Sequence, residues 1–235
     1  MKKKRTTLVL ARHGNAEKIN PSISDVMSAE MARKLSEKGQ GQAERLGTRV
    51  NHIRFDRVFS SPAVRAMQTM LTVLMKNTHH PIPSPDFIRT LWPDEKWLPI
   101  CDAAFKKLQY APLSVYEQEL GVAEELAEYY DTNIRTIESF IGTKLFGEGE
   151  RDLTILVTAH AVCMPSLAAN ILRNAESHDK ASLELALSVN LGEACALVVT
   201  VDEEGHAMLE LIDVNNAPTA DQVIASSTGA AVTTT

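Results

Sequence analysis

Scarcity is informative in this chain. Three cysteines, Cys101, Cys163 and Cys195, are an odd number without the spacing of a disulfide framework or a metal site. They read as buried thiols kept reduced in a cytoplasm. No apolar run approaches the roughly 20 residues that cross a bilayer. The opening Met1-Lys2-Lys3-Lys4-Arg5 has the charge of a signal peptide, but the apolar stretch behind it stops at Arg12, too short for a signal core. Positive charge is not in excess. Lys and Arg number 24 against 30 Asp and Glu, a net charge of −6, which argues against a broad nucleic-acid-binding surface. The 7 histidines show no zinc-ligand spacing, and no segment repeats.

What is present is ordinary in bulk and specific in detail. At 235 residues, 44% hydrophobic and 23% charged, the chain is long enough for one generous globular domain or a domain with an insertion. Strand and helix signals alternate, the pattern of an α/β fold. Thr7-Leu8-Val9-Leu10-Ala11 is a buried strand that ends in Arg12-His13-Gly14. After a polar loop, Asn15 to Ser28, Ala32, Leu35, Gly39, Ala43, Leu46, Val50 and Ile53 mark one face of a helix or of two joined helices. Ser36 is a candidate N-cap there. Arg57-Val58-Phe59-Ser60 is a short strand, and Ser61-Pro62 reads as N-cap and first position of the next helix.

Phe87-Ile88 reads as an edge strand. From Trp92 to Glu150 there is no strand signal, and the segment reads as a helical insertion that caps the site. Leu153 to Thr158 is the clearest strand and delivers Ala159-His160, after which Pro165 opens a helix. Two strands around Asp202-Glu203-Glu204-Gly205 form a hairpin. Residues 1–217 are expected to form one domain, and 218–235, rich in small residues and threonine, a disordered tail.

Three strand ends therefore face one edge of the sheet, where open α/β folds hold their ligands. They bring Arg12 and His13, Ser60-Ser61-Pro62 with Arg65, and His160. An imidazole can attack phosphorus while guanidiniums grip the phosphate oxygens in a planar fork. The chain resembles the histidine phosphatase superfamily, the phosphoglycerate-mutase-like proteins. The matching segments are Leu10-Ala11-Arg12-His13-Gly14, Leu35-Ser36-Glu37-Lys38-Gly39 with Gln42-Ala43, Phe59-Ser60-Ser61-Pro62 with Arg65-Ala66 and Gln68-Thr69, and Val157-Thr158-Ala159-His160. They stand in the family's order at family-like spacings.

That resemblance implies a three-layer α/β/α sandwich around a mostly parallel sheet, with His13 as the phosphorylated nucleophile and Arg12, Arg65 and His160 holding the phosphate. It implies no metal and no cofactor. Two departures stand out. Ala161-Val162 replace the family's Gly-Gly after the second histidine, and the phosphate-binding asparagine falls to Asn20, one step out of register, with Asn15 the alternative. Among carboxylates after the third strand, Glu95 is the candidate general acid and Asp94 the other. The expected activity is metal-independent hydrolysis of a phosphorylated small molecule or phosphoprotein, with no nucleic-acid or membrane partner. A phosphomutase and a weakly catalytic binder of phosphorylated ligands are the alternatives.

Overall fold

Thr6–Arg12 is hydrogen-bonded along both edges, which explains why its apolar residues do not alternate with polar ones. This strand, β1, lies parallel to β4 (Leu153–Ala159) on one side and antiparallel to β6 (Ala196–Val201) on the other. Helices cover both faces, so Leu8, Val9, Leu10 and Ala11 are all buried. The structure is a computed structural model that describes residues 4–19, 26–93, 96–119, 123–146, 149 and 151–216.

With β2 (Arg57–Ser60), β3 (Pro85–Phe87), β5 (Ser177–His178) and β7 (His206–Ile212), the sheet has the order β3-β2-β4-β1-β6-β7-β5. Among the described strands, β6 alone runs against the others. The sheet is thus mostly parallel, as expected. The turn between β6 and β7 needs a left-handed residue, and Gly205 supplies it at φ +84°. Asp202 Oδ1 accepts from the amides of Glu204 and His206 and holds the turn closed.

The helices are α1 (Val26–Ala32), α2 (Glu37–Val50), α3 (Val64–Lys76), α4 (Leu98–Leu108), α5 (Leu113–Glu119), α6 (Ala123–Ile141), α7 (Cys163–Asn174) and α8 (Lys180–Ser188). α2 packs on α3, while α7 lies against β1, β6 and β7 with α6 and α8 beside it. No helix among the described residues is long and apolar enough to cross a membrane. Cys101, Cys163 and Cys195 form no disulfide among the described residues, and Cys101 is only half-buried.

Several boundaries differ from expectation for physical reasons. Most of the face from Ala32 to Ile53 is one helix, α2, with Ala32 the last residue of α1, and Ser36 caps α2 by accepting from the Gly39 amide at 3.1 Å. Ser61 is not an N-cap. α3 starts at Val64 behind Ala63, and the Ser61 hydroxyl lies 2.9 Å from His160 Nε2 while accepting only a long bond, 3.4 Å, from the Ala63 amide. α7 opens at Cys163, with Pro165 inside its first turn, where a missing amide costs nothing. The edge strand ends at Phe87, and α1, β5 and α8 had no expectation of their own. The tail 218–235 lies outside the described residues.

Candidate active site

Parallel pairing of β1, β2 and β4 in register brings Arg12, Ser60 and Ala159 to one edge of the sheet. The backbone continues the tie beyond the strands: the His13 amide donates to Ala159 O and the Ser61 amide to Thr158 O. Because β6 runs the other way, its start lies at the same edge. There the Arg12 amide donates to Cys195 O at 3.0 Å and the Ala194 amide to His13 O at 3.1 Å.

His13 and His160 meet edge to face, ring centroids 5.2 Å apart. His13 Nδ1 lies 2.7 Å from Gly14 O, and Arg65 Nε donates to His13 Nε2 at 3.1 Å. Nδ1 therefore carries the proton, and the Nε2 lone pair points to the cationic side of the cleft. Burial, then the charge of Arg65, push the His13 pKa down to about 3, against the opposing pull of the Gly14 carbonyl. His160 is held well below its ordinary value by burial, His13 and the two guanidiniums, and its Nε2 lies 2.9 Å from Ser61 Oγ. His160 is therefore neutral at neutral pH.

Arg12 and Arg65 are buried, both lowered by burial, Arg65 to about 10, still fully charged at neutral pH. Arg12 Nη1 donates to Leu191 O, while its Nε has no hydrogen-bond partner among the described residues. A buried guanidinium N–H without a partner is costly and fits an anion. Arg65 Nη1 donates to the Glu30 carbonyl, and Nη2 stands 3.5 Å from its carboxylate. Glu30 also accepts two bonds from Arg33, each at 3.0 Å.

Two glycines set how closely the first loop seats on α2. A Cβ on Gly14 would stand 2.6 Å from Gly39 O, and one on Gly39 would stand 1.9 Å from Asn15 O. Asn15 is thereby fixed as a structural joint. Its backbone amide donates to Gln42 Oε1, its Oδ1 accepts from Ser36 Oγ, and its Nδ2 donates to Glu193 Oε1 at 2.7 Å. Burial would raise the Glu193 pKa, but hydrogen bonds from Asn15 and Gln42, with Arg12 and Lys38 nearby, lower it overall.

These groups line a cleft of about 440 Å³. Of the sequence candidates, His13, His160, Arg12 and Arg65 come together there. Asn20, Glu95 and Asp94 lie outside the described residues. Glu30, Glu193 and the ring of Tyr110 were missed. The only sequence signal for Glu193 was its position just ahead of an antiparallel strand. A larger cleft of about 580 Å³, between α5, α6 and α7, holds none of the motif residues. No group of three metal-ligating side chains forms among the described residues.

An α/β sandwich whose strand ends present two histidines and two guanidiniums has a phosphoglycerate-mutase-like architecture. Residues 8–90 match the sequence model of the histidine phosphatase superfamily (branch 1), so the resemblance read from the motifs is borne out. Three solved structures share the fold. Phosphoglycerate mutase from Bacillus anthracis str. Sterne matches at TM-score 0.56 and 17% identity, covering 91% of this chain and 96% of that one. Mycobacterial glucosyl-3-phosphoglycerate phosphatase matches at 0.55 and 16%, covering 88% and 97%. Phosphoserine phosphatase from Entamoeba histolytica matches at 0.53 and 17%, covering 88% and 97%. At these identities the likeness speaks for the fold alone. No curated protein matches the chain in sequence.

Proposed function

We propose that the protein is a metal-independent phosphatase that works through a phosphohistidine on His13. One observation carries this reading: an imidazole with its Nδ1 proton tied to Gly14 O and its Nε2 lone pair facing the buried Arg65 guanidinium, with the charge of buried Arg12 nearby. That lone pair attacks phosphorus, the P–O bond to the leaving group breaks, and the leaving oxygen takes a proton. Water then cleaves the P–N bond and restores neutral His13. Arg12 and Arg65 balance charge on the equatorial oxygens, the main assistance open to a loose transition state. An arriving phosphate dianion reverses the local field and draws a proton onto His160. The helices over 92–150 act as a cap inserted into one domain, and cysteines that form no disulfide fit a reducing cytoplasm as its place of work.

Rapid quenching with labelled nitrophenyl phosphate tests the reading. Label on the protein should survive alkali and be lost in acid, and should vanish in His13→Ala. Activity should persist in chelator. Acid-stable label, or label retained by His13→Ala, removes the nucleophile. Loss on chelation with recovery on adding a divalent ion removes the metal-free mechanism. Phosphate binding without turnover makes the chain a binder of phosphorylated ligands.

A further inference from the structure

Aromatic residues are only 5% of this chain, yet they gather at the cleft. All 4 tyrosines, at 110, 116, 129 and 130, line it, with Trp92 and Phe105. Resting on the phosphatase reading, we propose that the substrate is a phosphomonoester whose alcohol part is an uncharged aromatic or apolar group. That group packs against Trp92, Tyr110 and Phe105 while Arg12 and Arg65 hold its phosphate.

The aromatic wall begins at the phosphate cradle itself. The Arg12 guanidinium carbon is 4.8 Å from the Tyr110 ring centre, and that of Arg65 is 5.3 Å from Trp92. Trp92 also stands edge-on to His160 at 4.8 Å. A ring joined to phosphorus through one oxygen or one methylene therefore meets aromatic surface as soon as the phosphate is seated. Phe105 extends the wall outward, packed at 5.2 Å against Tyr110, and the two remain 40% and 47% exposed, available to a ligand.

Polar alternatives find few partners. Tyr116 and Tyr129 are buried and give their hydroxyls to the carbonyls of Gln109 and Thr90, so neither offers a free hydroxyl to a polar ligand. Among the described lining residues from 91 to 130, none is charged. The described cations of the cleft are Arg12 and Arg65, in the cradle, and Arg33, doubly bonded to Glu30. A second phosphate or a carboxylate on the substrate thus meets no uncommitted cation among them. Burying an unpaired charge against this wall would be costly.

Benzyl phosphate and glycerol 3-phosphate are both alkyl esters with strongly basic leaving groups, so their ratio of kcat/KM reads recognition rather than leaving-group chemistry. We expect benzyl phosphate to be preferred by about 30-fold or more, and Phe105→Asp, at an exposed rim position, to cut that ratio by about tenfold. Equal rates, or a preference for the glycerol ester, overturn the inference and leave the phosphatase reading intact. If neither ester is turned over, calorimetry on His13→Ala decides. Benzylphosphonate binding about tenfold or more tighter than phosphonoacetate keeps the ligand class while the phosphatase reading falls. Equal or reversed affinities overturn the ligand class as well.

Discussion

Arg65 Nε donates to His13 Nε2 across 3.1 Å, so the guanidinium that should grip a phosphate oxygen also guards the lone pair that should attack phosphorus. The same side chain reaches Glu30 with its other nitrogens. Arg65 is therefore occupied on both sides. An entering phosphate offers it better acceptors than a neutral imidazole, and the shift frees Nε2 at the moment the target atom arrives.

Acid sensitivity follows from the two neutral histidines. His13 is lowered to about 3 and His160 is lowered too, so between about pH 6.5 and 3 the unfolded chain binds protons that the native protein refuses. Stability should therefore fall as pH falls through that window. Part of each ring still faces the cleft, so about 1.4 kcal/mol per pH unit per histidine is an upper bound. Thermal melts from pH 7.5 to 5 should show the decline, with a shallower slope in His13→Asn. An unchanged slope in that variant would mean His13 is already charged in the native state.

Glu30 competes with the substrate for Arg65. Its carboxylate stands 3.5 Å from Nη2, where a phosphate oxygen would sit. Replacing it by Gln keeps the backbone acceptor and removes the charge. Orthovanadate should then bind about tenfold tighter, the scale of one nearby charge in a partly buried site. Calorimetry reads this directly. Weaker binding would show instead that the carboxylate is needed to position Arg65.

The strand-end groups could be read from the chain because each is anchored to a run of apolar residues whose pairing is forced. Once β1 and β4 are buried parallel neighbours, Arg12, His13 and His160 have little freedom in where they stand. Ser61 could not be read, since a Ser-Pro pair signals a cap equally well whether or not a histidine 99 positions later claims the hydroxyl. Glu30, Glu193 and Tyr110 reach the cleft from segments without fixed spacing to any motif. Glu193 is 178 residues from the Asn15 side chain it accepts from, a distance no local pattern spans.

Gly39 should be irreplaceable and Gly41, one half-turn on, should not. A Cβ at Gly39 would sit 1.9 Å from the Asn15 carbonyl oxygen, whereas one at Gly41 meets only Arg45 Nη1 at 3.8 Å. Gly39→Ala should cost about 3 kcal/mol and weaken vanadate binding, because the displaced peptide follows His13-Gly14 directly. Gly41→Ala, inside α2, should instead stabilise by about 0.5–1 kcal/mol. Denaturant titrations of the pair check both signs. Equal effects would mean the loop does not bear on α2 as closely as the geometry requires.

The proton for the leaving group must come from an acid, and the described carboxylates of the cleft are poor sources. Glu193 is held ionised by Asn15 and Gln42, and Glu30 is paired with Arg65 and Arg33. Glu95 therefore remains the proposed acid, with Asp94 beside it as the control. An acid matters in proportion to the basicity of the leaving oxygen. Glu95→Gln should slow hydrolysis of benzyl phosphate by roughly 10²-fold and leave nitrophenyl phosphate nearly unaffected, while Asp94→Asn changes neither. Equal losses on both esters would give Glu95 a binding role, and the reverse pattern would move the acid to Asp94. If neither replacement matters, the leaving group departs unassisted, and esters of acidic phenols become the better substrates for the same aromatic wall.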